Sequence, residues 1–99
     1  MAYLIGKSAV EDFETWHAGF KDNESFRAEN GEVGYQVFQS KDNPDEATVI
    51  FQWDENDDPR AFFQSEEMQQ RMTDAGLVGP PDMTLVELVD EKVPQQPSA

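Results

Sequence analysis

The sequence predicts an α+β domain in which two helices cover one face of a four-stranded antiparallel sheet. Three observations predict it. The apolar residues change between a two-residue and a 3.6-residue period, the changes give the element order β-α-β-β-α-β, and turn-forming residues separate the two middle strands. The chain has 99 residues, the size of a single domain. We assign residues 1–91 to that domain and the polar, proline-bearing residues 92–99 to a flexible tail.

The chain begins with a strand and a helix. Residues 2–10 form a short apolar stretch that is typical of a strand. From residue 11 to about 28, apolar side chains recur at helical spacing and acidic residues occupy the first turn, which suits the helix dipole. Asn30 and Gly31 then supply a C-terminal stop.

A β-hairpin follows the first helix. Residues 33–40 and 47–53 are rich in aromatic and β-branched types, and residues 41–46, KDNPDE, have the composition of a turn. Two strands joined by so short a turn pair with each other.

The second helical region has recognisable start and stop residues. Asp57 or Asp58 can cap its N-terminus, with Pro59 in the first turn. Ser65 is placed to restart the helix after a kink, and Gly76 is a C-terminal stop. We therefore predict one kinked helix that ends at this glycine.

The last strand completes a ferredoxin-like sandwich. We interpret residues 77–82 as a linker and residues 83–89, which alternate in character, as the fourth strand. In the third strand Ile50 lies on the face opposite Phe51, so both faces of the sheet are apolar. The helices cover one face, and we expect a second copy of the chain to cover the other and form a homodimer.

The composition excludes several classes of function. The chain carries 21 Asp and Glu against 7 Lys and Arg, a net charge of −14, which leaves no basic patch for nucleic acid. With no cysteine and one histidine, we expect no metal site within a subunit. No apolar run suits a membrane span or a signal peptide, so we expect a cytoplasmic protein. Such acidity favours a halophilic source, where salt screens the repulsion, over a merely acidic mesophilic protein.

His17 is the candidate catalytic residue. Among side chains, only histidine titrates near neutrality without help, and this one lies on the apolar side of the first predicted helix. It would act as a base or a hydrogen-bond donor; the alternative is a histidine that only packs at the helix edge. Nearby apolar side chains would either line a pocket for a flat ligand or fill the core. These candidate binding residues are Trp16, Phe20, Tyr35, Trp53, Phe62, Phe63 and Met72.

Four stretches of the chain, taken in order, resemble the antibiotic-biosynthesis-monooxygenase-like family of dimeric α+β barrels. They are VEDFETWHAGF at 10–20, GYQVFQSKDNPDEATVIFQWD at 34–54, RAFFQSEEMQQRMTDAG at 60–76 and VGPPDMTLVEL at 78–88. The resemblance covers about residues 3–89. It implies a homodimer whose sheets pack face to face, with a cleft between helices and sheet in each subunit.

The resemblance also implies a small-molecule enzyme or binder. Some members of the family oxidise polycyclic phenols with oxygen and no cofactor, and others degrade haem. The haem-degrading members use an Asn on the first strand, a Trp and a His; here residues 2–9 hold no Asn, and Phe62 and Met72 stand where the Trp and the His would be. The resemblance therefore favours cofactor-independent oxidation of a small phenol or quinol. The alternative is a non-catalytic homodimer with a binding, stress or regulatory role.

Overall fold

The computed structural model describes residues 2–94 and contains one four-stranded antiparallel sheet in the order β2-β3-β1-β4. The strands are β1 (Ala2–Val10), β2 (Glu32–Gln39), β3 (Glu46–Trp53) and β4 (Leu77–Val86). The helices are α1 (Phe13–Asp22), α2 (Glu24–Glu29), α3 (Pro59–Gln64) and α4 (Glu66–Asp74). This order confirms the predicted fold class. Most of the predicted tail, residues 95–99, lies outside the described residues.

Strand β3 lies at the centre of the core. Every second side chain along it is buried, as its alternation predicts. The ring of Phe51 lies 6.0 Å from the ring of Phe20 on α1 and 5.1 Å from that of Phe63 on α3. Both helical pairs therefore pack on the same face of the sheet. The buried side chains of β3 are Ala47, Val49, Phe51 and Trp53.

The first predicted helix, from 11 to about 28, is in fact two helices that meet at Asn23. The backbone N–H of Asn23 donates to the carbonyls of Gly19 and Phe20, and its side-chain Nδ2 donates to Gly19 O at 3.1 Å. A side chain that bonds the preceding turn in this way competes with the helical ladder and bends the chain. The predicted stop is confirmed, because Gly31 has a φ of +118° that only glycine adopts easily.

The second helical region begins, breaks and ends where the sequence predicts. The carboxylate of Asp58 accepts hydrogen bonds from backbone N–H groups of the first turn, and Pro59 follows it. Ser65 ends α3 and caps α4, with its Oγ accepting from the backbone N–H of Met68 at 3.3 Å. Gly76 has a φ of +99° and ends the region.

The last strand begins earlier than predicted. The expected linker, residues 77–82, is the first half of β4 and pairs with β1. The pairing register shifts between Lys7 and Ala9, opposite the Gly-Pro-Pro sequence at 79–81. A strand at the edge of a sheet tolerates proline at such a bulge. Residues 87–89, predicted to continue the strand, lie beyond its end and are exposed.

The face of the sheet that points away from the helices has an apolar centre. Ile5 of β1 pairs with Ile50 of β3, and both side chains are half-buried. Phe38, opposite Thr48 on the same face, is 47% exposed. Strand alternation places these side chains on the uncovered face.

Candidate functional site

A cleft of about 700 Å³ opens between α3–α4 and the edge of the sheet formed by β1 and β4. A cleft of this size accommodates a small organic ligand. Its apolar lining consists of Leu4, Phe63, Met72, Leu77, Pro80, Pro81 and Met83. Its polar lining consists of Arg60, Gln64, Gln69, Thr73 and Asp82, together with Gly79.

Helical spacing places the polar side chains along one wall of the cleft. Arg60 and Gln64 are four residues apart on α3, so they share a face of that helix. On α4, Gln69, Met72 and Thr73 follow the same rule. The break between the two helices turns both faces toward the sheet, which gives the helical wall an arginine, two amides and a hydroxyl.

A glycine in β1 makes room for the apolar floor of the cleft. Gly6 pairs with Met83 of β4. A Cβ atom on Gly6 would lie 2.9 Å from Met83 Sδ, closer than such atoms approach each other. Leu4, two residues earlier on the same face, is 1% exposed and forms the adjoining part of the floor. Any side chain at position 6 would therefore displace the thioether of Met83 from its place in the floor.

Arg60 brings the only guanidinium into the lining of this cleft. Its side chain is exposed and has no ion pair or hydrogen-bond acceptor among residues 2–94. Its backbone N–H donates to the capping carboxylate of Asp58 at 2.9 Å, which fixes the start of the helix but leaves the guanidinium uncommitted. Asp82, on β4, is the carboxylate of the lining and belongs to the opposite wall.

A buried ion pair lies between α2 and β2, and β2 is at the opposite edge of the sheet from β4. Arg27 is fully buried, its Nε donates to Glu32 Oε2 at 2.5 Å, and its Nη1 donates to Phe20 O at 2.7 Å. The guanidinium carbon lies 3.7 Å from the centre of the Phe20 ring. Nη2 has no partner within the part of the chain that the structure describes. Burial raises the pKa of the Glu32 carboxyl, and the hydrogen bond and charge of Arg27 oppose that rise.

Tyr35 packs against this cluster through its ring. The phenol donates a 2.7 Å hydrogen bond to Glu24 Oε1, and its ring meets the Phe20 ring edge-on at 4.9 Å. The hydrogen bond to a carboxylate holds the phenol in its protonated form and so raises the pKa of Tyr35.

The structure distributes the predicted binding residues over several surroundings. Phe63 and Met72 line the cleft. Phe62 faces a second cavity of about 390 Å³, where the Phe26 ring lies 5.3 Å from its own. Tyr35 belongs to the cluster described above. The remaining aromatic positions are buried in the core and are Trp16, Phe20 and Trp53.

His17 lies on α1, half-buried and beside other aromatic rings. Its ring centre is 6.3 Å from that of Trp16, nearly parallel to it, and 6.0 Å from that of Phe13. It is not among the residues that line either cavity. Its predicted role as the catalytic base therefore stays a prediction.

The polar side chains of the cleft were missed in the sequence. The four-residue spacing of Arg60 and Gln64 was visible there, but glutamine and arginine on a helix face are usually solvated. Within residues 2–94, no group of three or more His, Asp or Glu side chains is arranged to hold a metal ion. The same residues include no helix with the length and apolarity that crossing a membrane requires.

The sheet order and the helix–sheet cleft define a small ferredoxin-like α+β domain with room for a ligand. The chain belongs to the antibiotic biosynthesis monooxygenase family, whose family model matches residues 9–73. This match covers more than half of the chain and confirms the resemblance found in the sequence. The curated proteins offer no sequence match to the chain.

Several solved structures have the same fold as this chain. SnoaB, a cofactor-independent oxygenase from Streptomyces nogalater, is 16% identical, with 95% of this chain and 97% of that chain covered at a TM-score of 0.69. A proposed antibiotic biosynthesis monooxygenase from Bordetella bronchiseptica is 18% identical, with 89% and 96% covered at 0.71. A protein of unknown function from Nitrosomonas europaea is 19% identical, with 96% and 95% covered at 0.66. At these identities the likeness shows the fold alone.

Proposed function

We propose that this protein binds a flat aromatic molecule in the helix–sheet cleft and oxidises a phenol or quinol with molecular oxygen, without a metal or cofactor. The cleft is the observation on which the proposal rests, because its volume and its apolar floor with a polar wall suit such a ligand. Membership of the monooxygenase family supports it, as does the fold shared with SnoaB, a cofactor-independent oxygenase.

The proposed reaction needs a substrate anion and a dry, positioned site. Loss of the phenol proton makes the ring electron-rich; one oxygen atom of O₂ then enters the ring to give a quinone, and the other leaves as water with two substrate hydrogens. Phe63, Met72 and Met83 would hold the ring, while Gln64 and Thr73 would bond its oxygens. Asp82, the carboxylate of the lining, is our candidate for accepting the proton.

The other predicted binding residues have a supporting role in this proposal. Trp53, Trp16 and Phe20 build the core against which the cleft is formed. His17 is the base that the sequence predicts, but it does not line either cavity, so in this proposal Asp82 takes that role and replacing His17 tests the choice. A non-catalytic homodimer that only binds a ligand is the alternative, and it needs the same cleft but no proton acceptor.

Oxygen uptake measures the proposed activity directly. Anthrone, whose enol tautomer is a polycyclic phenol, is a suitable first substrate. Met72→Trp places a larger ring in the cleft and narrows it, and Gln70→Trp adds the same side chain to an exposed position of α4 that does not line it. We expect the first variant to lose most of kcat/KM and the second to retain it. Uptake that is absent, or that survives Met72→Trp, would contradict the proposal and favour the binding role.

We also propose that two subunits pair through the uncovered face of the sheet. The half-buried Ile5 and Ile50 and the exposed Phe38 form an apolar surface there, and such a surface is stabilised when a second copy covers it. Ile50→Lys places a charge at the centre of this face, and Gln70→Lys places one on exposed α4. Light scattering should detect a dimer for the parent and the control, and a monomer for Ile50→Lys. A monomeric parent would refute the pairing.

A further inference from the structure

We propose that the ligand of the cleft is an aromatic anion and that Arg60 is the residue that binds its charged group. This inference rests on the proposed function, because it concerns the occupant of the same cleft. It adds the chemical class of the ligand, an aromatic ring that bears a carboxylate or an ionised phenol, and a residue that selects it.

The first observation is that Arg60 lacks a partner in a chain where acids are abundant. The sequence contains 21 acidic residues and 7 Lys and Arg. Arg27 pairs with Glu32, and Arg71 pairs with Glu67 at 3.0 Å. The Arg60 guanidinium has neither an ion pair nor an acceptor among residues 2–94. All five of its N–H donors are therefore available to a ligand.

The second observation is the position of Arg60 beside an apolar floor. It shares the helical wall with Gln64. Phe63, which lies between these two residues in the sequence, also lines the cleft. A guanidinium can donate two parallel hydrogen bonds to a carboxylate, or bind a phenolate oxygen, while the ring of the ligand rests on the apolar floor.

The charge of the rest of the protein makes the binding of an anion depend on Arg60. A net charge of −14 repels anions from the surface, so an anionic ligand needs a local cation in order to bind. Asp82 belongs to the β4 wall across the cleft, so a ligand between the two walls can give a proton to this carboxylate and leave the resulting anion at the Arg60 guanidinium. An ionised phenol at this position is also the form that reacts with oxygen.

The test compares matched ligands in 0.1 M KCl. 2-Naphthoate and 2-naphthamide share a ring and a shape but differ in charge. We expect the naphthoate to bind about fivefold more tightly, the ratio that an exposed ion pair of about 1 kcal/mol gives. Arg60→Gln should bring the ratio to one, and Arg60→Lys should retain part of it. Lys41→Gln removes a cation from an exposed turn and should leave the ratio unchanged.

A second arm distinguishes a carboxylate from a phenolate. Absorbance gives the pKa of bound 2-naphthol, which Arg60 should lower relative to the Arg60→Gln variant if the site takes phenolates. A naphthoate preference without this difference assigns the site to carboxylates. Equal binding of naphthoate and naphthamide, with no lowered naphthol pKa, overturns the anion inference and leaves the cleft proposal standing. Failure of all three naphthalenes to bind overturns the cleft proposal itself.

Discussion

Removing one partner of the buried Arg27–Glu32 pair should destabilise the fold severely. Both side chains are almost inaccessible, with exposures of 0% and 4%, and their atoms meet at 2.5 Å. A charge left without its partner at such a site costs about 3–5 kcal/mol. Whole domains have about 5–15 kcal/mol of stability. Arg27→Met should therefore lose a large share of the free energy of unfolding, and Glu32→Leu should lose a comparable share.

The double variant should recover most of that loss. Arg27→Met combined with Glu32→Leu removes both charges and fills the space with apolar side chains, a replacement that is often neutral or stabilising. One cost remains, because Phe20 O loses the donor that Nη1 supplies at 2.7 Å, and an unsatisfied buried carbonyl costs about 1–3 kcal/mol. We expect the free energy of unfolding of the double variant to lie within about 2 kcal/mol of that of the parent.

The assay is urea unfolding followed by tryptophan fluorescence at constant KCl, with Arg27→Lys as the conservative variant. The lysine keeps the charge but cannot reach both Glu32 and the carbonyl, so its loss should be smaller than that of Arg27→Met. Single variants that each lose less than about 1 kcal/mol, the size of an exposed pair, would refute the burial argument. A double variant as unstable as the sum of the singles would refute the coupling.

The pH dependence of Arg27→Met supplies an independent check. Burial raises the pKa of Glu32 above its ordinary value of 4.5, and Arg27 opposes this rise. With the arginine removed, the folded state takes up a proton more readily than the unfolded state does. The contribution of Glu32 is then fully present below pH 4.5 and is lost as pH rises through the higher folded pKa. The variant should therefore be closer to the parent in acid than at neutral pH.

Four further predictions concern other parts of the molecule. In a Tyr3→Phe background, ultraviolet titration should give Tyr35 a pKa above its ordinary 10.0, and Glu24→Gln should lower that pKa. The contribution of Tyr35 to stability is present below pH 10.0 and is lost as pH rises through the higher folded pKa. Asp58→Ala removes the cap of α3 and should cost about 1 kcal/mol in urea unfolding. The midpoint of thermal unfolding should rise with KCl well beyond 0.1 M, because salt screens a net charge of −14; a flat midpoint would contradict the halophilic interpretation. His17→Gln should leave kcat/KM unchanged, whereas loss of a true general base costs about 100-fold or more.

Much of the fold could be predicted because local chemistry and global packing agree. Three local patterns each predict one structure, and the structure has all three. They are the alternation of β3, the cap formed by Asp58 before Pro59, and the start of a new helix at Ser65. The last strand was misplaced because Gly-Pro-Pro is the composition of a loop. A strand can contain these residues because β4 lies at the edge of the sheet, and that position depends on tertiary structure.

The site was harder to predict because its lining comes from four separate elements. Phe63 and Met72 were found as apolar residues of a helix, but their polar neighbours look like ordinary solvated side chains. No pattern in the sequence predicts the burial of Arg27. Its guanidinium is buried because the fold brings the Glu32 carboxylate and the Phe20 carbonyl to it as acceptors. Residue types predict which faces are buried, and tertiary packing decides which of them enclose a cavity.

The most direct test of ligand binding in the helix–sheet cleft is a methyl NMR titration of methionine-labelled protein with 2-naphthol. Met72 and Met83 line the cleft, whereas Met68, 4% exposed, lies in the core and serves as an internal control. Proposed binding predicts that the methyl resonances of Met72 and Met83 shift together and saturate while that of Met68 stays in place. Unmoved resonances of both lining methionines, with or without a change at Met68, would contradict it.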